Sequence, residues 1–284
     1  MPGVLYIIAT PIGNLEDITV RALRVLKEVD LIACEDTRHT RKLLAHYQIA
    51  KPTVSYHEHN ERERSAELLD KITTGLSVAL VSDAGTPLIS DPGLYIVREA
   101  IGRQILVIPI PGPSAVITAL SASGLPTGEF AFIGFLPSRG TARRARLKEL
   151  ADVKSTLIFY EAPHRIKATI EDARQALGDR VCVIARELTK LHEEFVRGRL
   201  SEIVVPEGSA RGEIVLLVGP PPEGLPKRTE DEATRSIVQE VEQLMDVEGL
   251  DQKGALKRVA RERGIGKSDA YRLMIAERAR GKQQ

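Results

Sequence analysis

The 284-residue chain contains no tryptophan, and aromatic residues make up only 4% of it. A surface built mainly of aromatic platforms for stacking nucleobases is therefore excluded, because such a surface spends an aromatic on nearly every base it holds. There are two cysteines, Cys34 and Cys182, each inside an apolar run. That pattern fits buried thiols in a reducing compartment and excludes a disulfide framework or a cysteine-rich metal site. The formal net charge is +1, so no global basic field exists and any binding of polyanions must come from local patches. No stretch approaches the roughly 18 continuous apolar residues of a membrane helix. The opening Met1–Ala9 lacks the basic flank of a secretory leader. The expectation is a soluble cytoplasmic protein with no membrane segment.

What is present is alternation. Short β-branched runs at Val4–Ala9, Leu31–Cys34, Val78–Ser82 and Ile105–Ile110 read as buried strands. Between them, helical periodicity covers Asp17–Lys27, Arg38–His46, Glu61–Thr74 and Pro92–Ile101, with Asn60 and Glu63 placed as a capping box for the third. Strands alternating with helices predict a mainly parallel sheet covered on both faces. A second series follows Gly124: Phe130–Phe135, Thr156–Tyr160, Arg180–Ala185 and Glu213–Val218, with Glu194–Arg197 as a fifth candidate. Turns are more frequent there, which predicts a mixed sheet.

The proline-rich Gly219–Pro226 reads as a linker, since proline denies the backbone N–H that helices and strands need. Beyond it the charge changes sign: Thr229–Leu250 holds seven acids and one base, and Asp251–Gln284 holds ten bases and four acids. Two helical patterns flank Gly264–Gly266. Leu256, Val259 and Ala260 mark the inner face of one, Leu273 and Met274 that of the other, and Ser268 is placed to cap the second. This pair reads either as a helix-turn-helix unit or as helices docked on a partner surface. The predicted organisation is an α/β domain over residues 1–115, a second α/β domain over 116–222, and a small helical, helix-turn-helix-like domain over 228–284.

Three loops lie just past predicted strand ends, where doubly wound folds bind ligands. They are Ala9–Leu15, Ser82–Gly93 and Pro111–Ala115. None carries the Gly-Lys-Ser/Thr of a triphosphate loop or the Gly-x-Gly-x-x-Gly of a dinucleotide site. They are small, glycine- and proline-rich and nearly free of cations, an environment that suits a positively charged sulfonium better than a phosphate.

These loops carry a resemblance. Ala9–Leu15 with Glu16–Thr19, Glu35-Asp36-Thr37-Arg38, Gly85-Thr86-Pro87 and Pro111–Ala115 resemble the corresponding segments of the tetrapyrrole methylase superfamily. Ser82–Gly93, Tyr56–Glu61, Tyr160–Arg165 and Arg186–Lys190 resemble the branch of that superfamily that methylates ribosomal RNA. The resemblance spans residues 4–219 and implies two α/β domains with an interdomain cofactor cleft, S-adenosyl-L-methionine as methyl donor, and a homodimer. It further implies methylation of a ribose 2′-hydroxyl in small-subunit ribosomal RNA, at a decoding-centre cytidine, with the 30S-type subunit as partner. The alternatives are a small-molecule, tetrapyrrole-type methyltransferase and a non-catalytic ribosome-binding module. Carried over by motif, the cofactor-facing positions are Pro11, Gly13, Gly85, Thr86, Ile89, Ser114, Ala115, Tyr160, Glu213 and Ile214. Many tetrapyrrole-modifying relatives have Gly-Asp-Pro at Gly85–Pro87, so one carboxylate is missing here. Asp83 and Asp91 are the candidates to replace it.

Arg139, Arg143, Arg144, Arg146 and Lys148 form a basic run that no acid interrupts before Glu149. Its sequence neighbours offer no ion-pair partner, so the run reads as a phosphate-binding patch, against the plainer reading of a solvated helix face. Lys257, Arg258 and Lys267 add a second candidate RNA contact in the C-terminal helices. His57 and His59 alternate on one segment, but neither a cysteine nor a third histidine is nearby, so hydrogen bonding is favoured over metal ligation and no metal is expected. For chemistry, Glu161, Arg186, Glu187 and Lys190 combine carboxylates and cations at predicted strand ends. Glu161 or Glu187 is the candidate proton acceptor, and Arg186 and Lys190 candidate phosphate holders. The competing reading is a structural ion-pair network.

Overall fold

A computed structural model describes residues 3–205, 214–222, 236–262 and 266–281. The chain forms two compact units, residues 1–222 and 223–284.

The first sheet is wholly parallel. It contains β1 (Val4–Ile8), β2 (Leu31–Cys34), β3 (Thr53–Ser55), β4 (Val78–Val81) and β5 (Leu106–Ile110), in the order β3-β2-β4-β1-β5. Successive side chains point to opposite faces, and the packing follows this period of two. Ile8, Ile32, Cys34, Ala79 and Val81 share one face with Ala22, Val25 and Leu26 of α1 (Val20–Glu28) and Leu44 of α2 (Thr37–His46). Leu5, Ile7, Ala33, Val78 and Leu80 share the other with Leu68 and Ile72 of α3 (Glu61–Thr73) and Ile96 and Ala100 of α4 (Leu94–Gly102). The expected mainly parallel sheet, covered on both faces, is what the sequence builds.

Two helix starts differ from expectation. Residues 15–17 form a separate 3₁₀ turn, and α1 begins at Val20 because the Thr19 hydroxyl accepts from Ala22 N at 3.1 Å. At α3 the expected capping box is absent. Asn60 turns back instead, accepting from His57 N at 2.9 Å and donating to Ser55 O at 3.3 Å, so its side chain tethers the loop after β3.

The second sheet is mixed, as expected. Its strands are β6 (Phe130–Phe135), β7 (Thr156–Glu161), β8 (Val181–Arg186), β9 (Glu194–Arg199) and β10 (Ile214–Val218), in the order β6-β7-β10-β8-β9. Only the β6–β7 pair is parallel. One face, with Leu157, Phe159, Ile184, Ile214 and Leu216, packs on α6 (Gly140–Glu149) and α7 (Ile166–Leu177). The other, with Ile158, Val183, Ala185, Val215 and Leu217, packs on α5 (Ala115–Ser123). Both cysteines are buried in these cores, and both are free thiols.

Arg180 is buried at 2% exposure. Its guanidinium donates to Leu177 O at 3.0 Å, to Val153 O at 3.4 Å and to Ala151 O. Backbone carbonyls, rather than a carboxylate, thus satisfy a buried cation, and burial lowers its pKa.

The second unit contains α8 (Ile237–Glu248), α9 (Gln252–Glu262) and α10 (Lys267–Gly281). Ser236 and Gln239 form a capping box at the start of α8. Val241, Leu256, Val259, Ala260, Ala270 and Met274 make its core. Leu273, expected inside, is 45% exposed, because Ala270 and Met274 occupy the inner face at a spacing of four. Ser268 lies inside α10 instead of capping it: Asp269 N and Ala270 N both bond back to Gly266 O. The 264–265 turn and the 223–226 part of the proposed linker lie outside the described residues.

Candidate functional site

β4, β1 and β5 are adjacent, so the loops leaving their carboxyl ends emerge side by side. Backbone and side-chain bonds then lock them together. Thr10 and Gly85 exchange backbone hydrogen bonds of 2.9 and 3.0 Å, and Thr10 Oγ1 donates to Ser82 O at 3.1 Å. Thr86 Oγ1 donates to Pro113 O at 3.0 Å, which joins the second loop to the third. Gly85 has φ +79°, and a Cβ there would stand 3.4 Å from Ile12 Cγ2. Its conformation, as well as the close approach, therefore favours glycine. Leu88 and Ser90 also lie at positive φ, 72° and 67°. Non-glycine residues in this region store backbone strain, which clusters at functional loops.

The opposite wall comes from the second sheet. Asn14 N donates to Thr189 Oγ1 at 3.0 Å, and Gly13 sits against the 187–190 loop so closely that a Cβ would lie 2.7 Å from Lys190 Cγ and 2.9 Å from Leu188 O. The result is a cleft of about 450 Å³ between the two sheets of the first unit. Of the residues singled out in the sequence, Gly85, Thr86, Ile89, Ser114, Ala115, Tyr160, Glu187 and Lys190 line it. Asp83 and Asp91, the candidates for the missing carboxylate, line it too. Ile12, Glu35, Ala84, Ser90, Phe135, Leu188 and Val215 complete the lining and were not singled out by sequence.

Several expected residues are placed elsewhere. Pro11 is buried within the first loop and does not line the cleft, and Gly13 holds that loop on the opposite wall without lining it. Glu213 lies outside the described residues. Ile214 belongs to the α6–α7 face of β10, and its neighbour Val215 faces the cleft. The same alternation removes Glu161. Tyr160 points to the cleft, so the next residue points away. Glu161 is fully buried, its Oε1 accepting from Ala162 N at 2.8 Å with Arg165 Nε 3.1 Å away, and its Oε2 accepting from Thr169 Oγ1 at 2.6 Å. It anchors the start of α7 and has no path to a substrate. Arg186 pairs with Glu194 across β8–β9 and does not line the cleft. Glu187 and Lys190 do line it, paired at 3.0 Å.

The electrostatics are lopsided. Four carboxylates (Glu35, Asp83, Asp91, Glu187) line the cleft against one cation, Lys190, which is already paired. Desolvation, and then the neighbouring Asp83, raise the Glu35 pKa. Asp36 is held down to about 2 by hydrogen bonds from the Arg38 side chain and backbone. A cationic ligand with small-residue contacts fits this lining, and a polyphosphate does not. Three aromatics cluster at this wall: Tyr160 lies edge-on to Phe132 at 5.0 Å and is tilted against Phe135 at 5.5 Å.

The basic run corrects one inference. Its acid partner comes from a different helix. Arg143 is buried, with Nε and Nη2 each 2.7 Å from Asp172 Oδ2, and Arg144 Nη1 is 3.2 Å from Asp172 Oδ1. Arg146 pairs with Glu149 at 2.6 Å. Arg139 and Lys148 are exposed. In the second unit Lys257 and Arg258 are exposed, whereas the Lys267 side chain is not described. His57 and His59 stand 6.0 Å apart by ring centroids, and among the described residues no group of His, Cys, Asp and Glu could hold a metal. No described helix is long and apolar enough to cross a membrane.

Known proteins match the chain in family and in fold. The model of the family described as Tetrapyrrole (Corrin/Porphyrin) Methylases matches residues 4–204. A Halalkalibacterium halodurans protein named ribosomal RNA small subunit methyltransferase I is 51% identical over 281 residues, covering 97% of this chain and 96% of its own length. A Synechocystis protein of the same name is 46% identical, covering 98% and 100%. Among solved structures, the uroporphyrin-III C-methyl transferase of Thermus thermophilus, complexed with S-adenosylhomocysteine, superposes with a TM-score of 0.53 at 21% identity, covering 76% of this chain and 97% of that one. This last likeness is one of fold.

Proposed function

The chain belongs to the tetrapyrrole methylase family, and from that premise we propose that it is an S-adenosyl-L-methionine-dependent methyltransferase acting on small-subunit ribosomal RNA, at a ribose 2′-hydroxyl. The observation that carries the reading is the convergence of three cation-poor loops on one acid-lined cleft, in a chain about half identical to proteins named for ribosomal RNA methylation. The bound donor supplies a methyl group already activated by the positive charge on sulfur. Gly85, Thr86, Ser114 and Ala115 offer it close backbone contact, and Asp83 and Asp91 offset its charge.

The chain's own contribution is mainly alignment. Well-oriented reactions gain roughly 7–11 kcal/mol from proximity. The ties between Thr10 and Gly85, Thr86 and Pro113, and Asn14 and Thr189 hold both walls of the cleft at fixed separation. Lys190, steered by Glu187, is positioned to hold a phosphate flanking the acceptor nucleotide, and Arg139 and Lys148 extend that grip along the RNA backbone. Residues 1–115 and 116–222 act as the two halves of this machine, and 228–284 as an RNA-engaging appendage. The working form is a cytoplasmic homodimer, which sedimentation equilibrium tests.

The deciding experiment offers labelled donor with intact small subunits, deproteinised ribosomal RNA or a porphyrinoid, then digests the product to nucleosides. The expected result is label in one 2′-O-methyl nucleoside. Label in the porphyrinoid alone refutes the RNA reading, and label on a base refutes the ribose reading. Calorimetry with donor and S-adenosylhomocysteine should show one site per chain. Removing residues 229–284 should leave that titration unchanged while weakening subunit binding.

A further inference from the structure

Methylation of a hydroxyl needs a group to take its proton, and neither sequence-derived candidate is available for it. Glu161 is sealed against α7, and the Glu187 carboxylate already accepts from Lys190. Of the remaining cleft carboxylates, Asp83 Oδ1 accepts from Asp36 N at 3.1 Å. Asp91 has a partner of its own. Glu35 lines the cleft, is exposed, and its carboxylate makes neither a hydrogen bond nor an ion pair with any described residue.

Its position follows from topology. β3, β2 and β4 are consecutive in the sheet, and Glu35 directly follows β2, Asp83 lies two residues past β4 and His57 two past β3. The three residues sit at successive strand ends along one carboxyl edge of the sheet. Asn60 Nδ2 is 3.3 Å from His57 Nε2, and an amide nitrogen only donates, so Nε2 accepts and the neutral ring carries its hydrogen on Nδ1. Nδ1 is buried and has no partner among the described residues. A buried, unpartnered donor is thus left at the end of the strand next to the one that Glu35 follows.

We infer that Glu35 is the carboxylate that takes the proton from the acceptor hydroxyl, with Asp83 and His57 as positioning residues. The inference rests on the reading above of a ribose oxygen as acceptor. The acceptor O–H bond breaks as the O–CH₃ bond forms, and its proton moves to a Glu35 oxygen. The electron pair of the broken S–CH₃ bond stays on sulfur, and the proton then passes from Glu35 to water at the open side of the cleft. The charged neighbours of Glu35 favour this role. Burial, then Asp83 and the Arg38-paired Asp36, disfavour a charge on the Glu35 carboxylate, which makes it a stronger base, and His57 opposes them. Asp91 and the Glu187–Lys190 pair line the same cleft.

The test uses the full-length protein, with Glu35→Gln and Asp83→Asn, intact small subunits and labelled donor. Single-turnover rate against pH, S-adenosylhomocysteine affinity by calorimetry, and melting temperature are all measured. For Glu35→Gln the rate should fall about 100-fold or more, as for loss of a general base. Affinity should stay within about threefold. Melting temperature should hold or rise, because a repelled carboxylate has been neutralised. The wild-type rate should fall as pH drops through a midpoint above the ordinary carboxylate range, and Asp83→Asn should move that midpoint down. A Glu35→Gln protein that keeps the wild-type rate and profile, or loses affinity in step with rate, overturns the assignment; so does an unmoved midpoint in Asp83→Asn. Wild-type protein that forms no 2′-O-methyl product overturns the functional reading itself, a result distinct from a normal product made equally fast without Glu35.

Discussion

Asp172 is the acid that the basic run on α6 lacks in sequence, and replacing it with alanine isolates what the pair does. The side chains of Arg143 and Asp172 are 8% and 9% exposed, and Asp172 accepts from Arg143 Nε, Arg143 Nη2 and Arg144 Nη1. Asp172→Ala therefore leaves a buried guanidinium without its counter-ion, which costs about 3–5 kcal/mol. For a unit of this size each kcal/mol lowers the melting temperature by about 2–4 °C, so the expected drop is roughly 6–20 °C. Replacing both partners by apolar residues of similar volume, Arg143→Met with Asp172→Leu, should recover most of that loss, because no charge is then stranded. Thermal and denaturant unfolding of Arg143→Met, Asp172→Leu and the double variant give the coupling directly. A drop below about 2 °C for Asp172→Ala would mean that the pair is effectively solvated, and the reasoning fails. Salt dependence of subunit binding supplies the second half. A phosphate-contacting cation contributes about one unit to the slope of log affinity against log salt. Arg139→Ala and Lys148→Ala should each reduce the slope by about one unit. The Arg143/Asp172 double variant should leave it unchanged, and a reduced slope there would return Arg143 to the RNA surface.

Gly85→Ala places a Cβ on a left-handed backbone facing Ile12, so it should destabilise by about 1–2 kcal/mol and weaken S-adenosylhomocysteine binding as read by calorimetry. Arg180→Ala strands the carbonyls of Ala151, Val153 and Leu177 and should cost more than about 3 kcal/mol in denaturant unfolding, while Arg180→Lys should not restore it, because one ammonium cannot span three carbonyls. Burial pushes the Cys182 thiol up to about 12 and raises Cys34 as well, so native protein at pH 8 should resist maleimide and release two reactive thiols per chain only on unfolding. A raised folded value means that the stability contributed by the neutral Cys182 thiol is complete below the unfolded value of 9.0 and is lost as pH climbs toward about 12; alkaline unfolding in wild type, but less in Cys182→Ala, checks the sign.

Most of the scaffold was legible because burial on both faces forces β-branched runs, and because the ligand loops need glycine and proline for tight turns. β3 was not legible: three residues after Pro52 leave too short a pattern to register. The fate of Glu161 was within reach, since two adjacent strand residues cannot face the same side and Tyr160 had already been assigned to the cleft. The same alternation separates Ile214 from Val215. The Arg143–Asp172 pair was beyond reach, because its members lie 29 positions apart and meet only through the packing of α6 on α7. Glu35 was visible only as part of a motif, because its isolation from partners is a property of neighbouring strand ends that no local pattern encodes.

The hydrogen bonds that splice Thr10 to Gly85 and Thr86 to Pro113 bind the three loops at the carboxyl edge of the parallel sheet to one another. The facing wall is made differently, from side chains such as Phe135, Tyr160, Glu187 and Val215 at strand ends of the mixed sheet. Phe135, Tyr160, Glu187 and Val215 take no part in those splicing bonds, so exchange of one of their side chains leaves the bonds in place. On the proposed reading, one half of the enzyme can stay fixed as a holder for the methyl source while the other drifts toward new recipients, a structural route from small-molecule chemistry to a substrate as large as ribosomal RNA.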